Sequence, residues 1–201
     1  MSDHYYTNNP QKESNPFHFQ TTINSYNLNF QTDDGVFSKK QIDYGTRVLL
    51  EHFDPPEIDG DLLDVGCGYG PIGIVLAKRF ENRKVVMVDI NERAVHLSNQ
   101  NIAMNKVKNA FAYVSDGFSG VKQEGLASIV TNPPFRAGKD VVINMIEGSR
   151  VKLQKGGDFW LVAQKKQGAP SLKKKMEEVF GNAEVIKRDK GYYVLRSKKI
   201  D

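Results

Sequence analysis

The run Asp64-Val65-Gly66-Cys67-Gly68-Tyr69-Gly70 constrains this chain most, because it stands between the apolar pair Leu62-Leu63 and the helix-like Ile72-Gly73-Ile74-Val75-Leu76-Ala77-Lys78. Glycines at alternate positions between strand and helix let main chain approach a ligand with no Cβ atoms intervening. The surrounding pattern fits such a turn. Strands are expected at 61–65, 84–89, 110–114, 127–131 and 158–163, with helices near 71–80, 91–105, 138–153 and 171–180, the rhythm of a parallel, doubly wound α/β sheet. Residues 184–187 and 192–195 flank Asp189-Lys190-Gly191 and read as a terminal antiparallel hairpin.

Before the sheet, Phe17 to Ile23 and Tyr26 to Gln31 both alternate apolar and polar residues about Asn24-Ser25, so residues 17–32 read as a β-hairpin. Residues 39–53 then resemble an amphipathic helix stopped by Asp54-Pro55-Pro56. The expected division is therefore an N-terminal β-hairpin extension over 1–37 and a main domain over 38–201, with the boundary between 33 and 38.

A chain of 201 residues suits one such domain with one sizeable core. No apolar run approaches the length of a bilayer span, and Met1 to Tyr6 lack the basic and apolar regions of a signal peptide, so a cytoplasmic protein is expected. Cys67 is the single cysteine and the four histidines have no metal-ligand spacing, so neither an internal disulfide nor a metal site is expected. Charge is unevenly placed. Residues 1–135 carry 12 Lys/Arg against 16 Asp/Glu, a balance of −4, while residues 136–201 carry 16 against 8, a balance of +8. Such a half attracts polyanions, although lysine clusters are also ordinary solvated surface.

Gly68-Tyr69-Gly70-Pro71-Ile72-Gly73 formally satisfies a dinucleotide-binding pattern, with Asp89 ending the next strand where a ribose-binding carboxylate belongs. Asp64 and the additional Gly66 favour a different cofactor. A carboxylate at the start of the turn complements an ammonium and does nothing for a pyrophosphate. S-adenosyl-L-methionine carries that ammonium. On this reading Gly66, Gly68 and Gly70 lie along it, Asp89 accepts from its ribose hydroxyls, Ile90 packs on the adenine, and Asp116 accepts from the adenine amino group. A turn-forming Asp before Gly117 is the plainer account of Asp116.

The second informative run is Asn132-Pro133-Pro134-Phe135, after the strand-like Ala127-Ser128-Ile129-Val130-Thr131. A conjugated amine is a poor nucleophile until its lone pair is directed. The Asn132 amide oxygen and the Pro133 carbonyl can accept its two protons, the prolines stiffen the turn, and Phe135 can stack on a substrate ring. Arg136 and Lys139 follow and suit phosphates flanking an extruded base, or are simply helix-surface charge.

Asp64 to Gly70, Asp89, Asp116 and the Asn-Pro-Pro-Phe tetrapeptide resemble the class I S-adenosylmethionine-dependent methyltransferases that act on exocyclic or amide nitrogens. Within that class, His4-Tyr5-Tyr6, Thr32-Asp33-Asp34-Gly35-Val36-Phe37-Ser38 and Asp43-Tyr44-Gly45-Thr46 are similar to the single-domain members of the bacterial small-subunit (16S) rRNA guanine-N2 methyltransferase family. The resemblance implies a Rossmann-like, mostly parallel seven-stranded sheet with a C-terminal antiparallel hairpin. It further implies methylation of a guanine exocyclic amine, rRNA or the small ribosomal subunit as partner, Gly45 and Thr46 near the cofactor, and the tetrapeptide gripping the base. Arg136 stands where a histidine often follows this tetrapeptide. Competing functions are methylation of a protein glutamine amide or of DNA adenine N6, a non-catalytic nucleic-acid-binding protein of the same fold, and a nicotinamide-dependent oxidoreductase.

Overall fold

The computed structural model describes residues 13–36 and 41–201. The expected boundary at 37/38 and the His4-Tyr5-Tyr6 motif fall outside the described residues. Strands β1 (Phe17–Ile23) and β2 (Tyr26–Thr32) form a separate two-stranded antiparallel sheet. Asn24 and Ser25 turn it with φ of 49° and 69°, the double left-handed conformation that matches the twist of a two-residue hairpin.

The main sheet has seven strands in the order β5-β4-β3-β6-β7-β9-β8. They are β3 (Leu62–Val65), β4 (Val85–Asp89), β5 (Ala110–Val114), β6 (Leu126–Thr131), β7 (Leu153–Gln164), β8 (Glu184–Asp189) and β9 (Tyr192–Lys198). The first five run parallel, and β9 turns antiparallel against both β7 and β8. Every residue of β3, β4 and β6 is buried, which is why these segments read as continuous apolar runs. Strand β7 is longer than expected, because Leu153 to Gly157 continue it before the apolar segment begins.

Helices α1 (Tyr44–His52), α2 (Pro71–Arg79) and α3 (Glu92–Met104) cover one face with the hairpin, and α4 (Lys139–Lys152) and α5 (Ala169–Phe180) cover the other. One core layer holds Phe30, Leu49, Phe53, Leu76 and Trp160; the other holds Leu63, Ile129, Ile146, Phe159 and Met176. Helix α1 begins later than the expected residue 39, among the described residues, because Asp43 is its N-cap. The Asp43 backbone is extended and its side chain accepts from the Thr46 N–H. No helix among the described residues is long and apolar enough to cross a membrane.

The hairpin is attached through asparagines. On α3, the Asn101 amide accepts from the Gln31 N–H at 2.8 Å and donates to the Gln31 carbonyl at 2.9 Å. One turn on, Asn105 does the same with Asn29, at 3.0 and 2.8 Å. Phe30, between those two residues, is fully buried and packs edge-on to Tyr69 of the glycine turn.

Chain order reverses between β3 and β6: from β3 the chain proceeds outward through β4 to β5, then returns to β6 on the other side of β3. Open α/β sheets leave a crevice at the carboxyl ends of strands flanking such a switch. The two informative sequence runs both begin there.

Candidate active site

Val65 and Thr131 end neighbouring parallel strands, and the Thr131 hydroxyl donates to the Val65 carbonyl at 2.8 Å. The glycine turn and the Asn-Pro-Pro-Phe corner therefore leave the sheet side by side. They share one cleft of about 700 Å³. Of the residues expected to form a site, Thr46, Gly66, Gly68, Asp89, Ile90, Asp116, Asn132, Pro133, Pro134, Phe135 and Arg136 line it, whereas Gly45, Asp64, Gly70 and Lys139 do not.

Gly66, Gly68 and Gly70 have φ of 75°, 58° and 106°, a sequence of left-handed conformations that a side chain would strain. The turn is held from outside by β4. Gly66 and Cys67 N–H groups both donate to the Val88 carbonyl, and the Gly68 N–H donates to Asp89 Oδ2 at 2.8 Å. Asp89 Oδ1 accepts from the Asn91 N–H at 2.9 Å, so the carboxylate is fixed in orientation while still lining the cleft.

Asp64 is placed differently from the direct ligand expected of it. It is fully buried below the turn, and its Oδ2 accepts from the Gly73 N–H at 2.9 Å. Helix α2 lacks a side-chain N-cap at Gly70, so this carboxylate takes over part of that task from the preceding strand. Its Oδ1 has no protein partner. Burial, opposed by the Gly73 hydrogen bond and reinforced by Asp89, pushes its pKa up to about 8. Gly70 forms the hinge into α2, and Gly45 lies against the Tyr192 ring. Lys139 is exposed at the start of α4. Asp116 is exposed and lines the cleft within a turn closed by Ser119, so its turn-forming and cleft-facing roles coexist. Cys67 is buried, and burial followed by the nearby Asp89 and Asp64 carboxylates pushes its thiol up, which keeps it protonated.

At the other end of the cleft the Asn132 amide nitrogen donates to Asp43 Oδ2 at 2.9 Å and to Thr46 Oγ1 at 3.0 Å. Both donor positions of the amide are thereby used, which fixes the amide plane and leaves Oδ1 as the acceptor. Pro134, at φ −78° and ψ 76°, centres a tight inverse turn in which the Phe135 N–H donates to the Pro133 carbonyl at 3.0 Å. That carbonyl keeps one lone pair for another donor. Tyr192 lines the same end and its hydroxyl accepts from Gln164 Nε2 at 2.5 Å.

Asp43, Gln164, Gln167 and Tyr192 were not among the expected site residues. Asp43 had a readable signal, an aspartate three residues before Thr46 at the head of an apolar helical pattern. The others come from the ends of β7 and β9, and their sequence offers no mark of a cleft.

The cradle fits a class I methyl donor on its own features. Strained glycine backbone opens the wall, an anchored carboxylate ends the adjacent strand, and a buried acceptor at Asp64 Oδ1 lacks a partner. With the switch-point crevice, these fit the class of S-adenosylmethionine-dependent methyltransferases. Comparison by sequence narrows the class. The profile of the methyltransferase small domain family matches residues 27–196, and the chain belongs to that family.

The chain is 48% identical to the protein YbxB of Bacillus subtilis, described as uncharacterized, over the full length of both. It is 33% identical to ribosomal RNA small subunit methyltransferase C of Actinobacillus pleuropneumoniae over 85% of this chain and 52% of that protein. Among solved structures it superposes with a TM-score of 0.81 on the T. thermophilus 16S rRNA N2 G1207 methyltransferase, RsmC, in complex with AdoMet and guanosine. That match has 28% identity and covers 94% of this chain and 52% of that one. The chain thus spans about half the length of these rRNA methyltransferases.

Proposed function

We propose that the chain transfers a methyl group from S-adenosylmethionine to the exocyclic N2 amine of a guanine in small-subunit rRNA. The observation that carries this reading is the Asn132 amide. Its nitrogen is committed to Asp43 and Thr46, so its oxygen is the group left to receive an amine proton. The spare lone pair of the Pro133 carbonyl receives the second proton, which directs the amine lone pair at the methyl carbon. Phe135 stacks on the base, Pro134 holds the corner rigid, and Arg136 and Lys139 meet the flanking backbone.

Gly66, Gly68 and Gly70 form the cradle, Asp89 takes the ribose hydroxyls, Ile90 and Asp116 the adenine, and Gly45 and Thr46 shape the methionine end. Asp64 braces the cradle from beneath the turn by accepting from the Gly73 N–H. The cofactor supplies a methyl carbon bound to positively charged sulfur. As the N–C bond forms the C–S bond breaks, the electron pair stays on sulfur, and the extra nitrogen proton leaves to water. The acceleration comes from alignment and fixed dipoles, since the nucleophile needs no covalent intermediate.

The likeness to rRNA methyltransferases and to a neighbour solved with guanosine supports the choice of base. The basic balance of residues 136–201 supports a polyanionic substrate. The test is transfer of tritiated methyl to small ribosomal subunits from a strain lacking the protein, with mapping of the modified nucleotide. A new N2-methylguanosine, abolished in Asn132→Ala, is expected. Label appearing instead on a protein glutamine or on adenine would overturn the guanine assignment.

A further inference from the structure

Where the antiparallel end of the sheet meets the cleft, Gln164 at the end of β7 pairs in register with Tyr192 at the start of β9. The Lys165 N–H donates to the Gly191 carbonyl at 2.8 Å, so the short turn Lys165–Gln167 is joined edge to edge with the Lys190-Gly191 turn. Between these turns lies a hollow of about 650 Å³ lined by Gln164, Lys165, Lys166, Lys190 and Gly191. It adjoins the cleft, with Gln164 and Lys166 lining both.

Several charges elsewhere in the basic half are neutralised locally. Arg150, Lys152, Lys173, Lys175 and Arg196 each pair with a carboxylate. Among the described residues, Lys165, Lys166 and Lys190 have no such partner, all three are exposed, and no carboxylate lines the hollow. The nearest candidate in sequence, Asp189, accepts from the Tyr44 hydroxyl at 2.8 Å. Lys190 rests over the Tyr44 ring at 4.8 Å, on a backbone with φ of 45°. Three like charges on two fixed turns repel one another until an anion sits among them.

We propose that this hollow seats backbone phosphates of a single-stranded polynucleotide beside the nucleotide whose base enters the cleft. The proposal rests on the nucleobase reading of the cleft and adds the surface that holds the strand. A phosphodiester chain suits the hollow because base and flanking phosphates are covalently joined, and the hollow adjoins the cleft at Gln164 and Lys166. Lysines act as point charges and so grip the backbone without reading sequence.

The test compares wild type with Lys165→Glu/Lys190→Glu, neither residue lining the cleft, and with Lys155→Glu/Lys174→Glu as an equally charged control elsewhere. Binding of a fluorescent single-stranded RNA is followed by anisotropy across a salt series, with inorganic phosphate as competitor and S-adenosylhomocysteine binding measured by calorimetry. In the hollow variant RNA affinity should fall roughly tenfold to a hundredfold, and the slope of log K against log salt should flatten by about 1.4, the value for two lost phosphate contacts on a single strand. S-adenosylhomocysteine affinity should hold, the control should lose much less, and millimolar phosphate should compete poorly. Equal losses in the two variants, or an unchanged slope in the hollow variant, would overturn the proposal, as would phosphate displacing RNA completely. RNA held in the hollow by a protein that methylates no guanine would instead count against the functional reading alone.

Discussion

The two ends of the cleft are built by different means. At the donor end the wall is main chain, drawn from consecutive residues of one strand-to-helix turn and tied to the next strand through Val88 and Asp89. At the acceptor end the wall is side chain, drawn from Asp43 and Thr46, from Asn132 to Arg136, from Gln164, Lys166 and Gln167, and from Tyr192. The first can be damaged by adding atoms and the second by removing them. Stability and catalysis should therefore separate between the ends.

The sharpest separation is expected at Asn132. Asn132→Ala removes the directed acceptor and should lower kcat by about 10²- to 10³-fold, the scale seen when one fixed polar group is deleted from a reacting centre. Its melting temperature and S-adenosylhomocysteine affinity, read by calorimetry, should barely move. A large loss of stability there would erase the distinction between the ends.

Gly73 tests the opposite side. A Cβ at this position would come within 2.5 Å of the fully buried Met87 side chain. Gly73→Ala should cost about 1–3 kcal/mol of stability by overpacking, measured by denaturant unfolding. Cofactor affinity should fall with it, since the same helix turn orients the cradle. Adding Met87→Leu should recover part of the loss, and no recovery would point away from a steric cause.

Asp43 links a fold element to the chemistry. Asp43→Ala removes both an N-cap, worth about 1 kcal/mol, and the anchor of the Asn132 amide. A fall in kcat of about tenfold, equivalent to ~1.4 kcal/mol, is expected together with a small loss in melting temperature. Asp43→Asn, which keeps an acceptor for the cap, should restore stability more than turnover. Equal restoration of both would leave Asp43 a structural cap alone.

A separate effect concerns pH. Asp64 has a folded pKa of about 8, above the ordinary carboxylate value of about 3.9, so the folded protein binds a proton that the unfolded chain releases. Its contribution to stability is full below about pH 4 and is lost as pH rises through about 8. The unliganded protein should melt at lower temperature at pH 8.5 than at pH 6, and Asp64→Asn should shrink that difference. An unaltered difference would mean that other groups set the pH dependence.

Much of this was legible in the sequence because its signals were local. Alternation about Asn24-Ser25 announced the hairpin, and the apolar runs of β3, β4 and β6 announced a sheet covered on both faces. The pairing of the glycine turn with the tetrapeptide followed from the ends of two strands that chain order alone does not make neighbours. What stayed hidden depends on distance. Asp43 and Asn132 meet across 89 positions, and nothing in either segment announces the other. Asp64 was readable as a carboxylate beside a glycine turn. Its depth, and its use by the Gly73 N–H, follow from how tightly α2 starts after Pro71.

The asparagine ladder on α3 grips carbonyls and amide hydrogens of Gln31 and Asn29, leaving their side chains out of the bargain. Attachment of the N-terminal ribbon is thus indifferent to what those two positions display. Its outward surface can be rewritten, residue by residue, while the ribbon stays moored over the turn that faces the methyl donor.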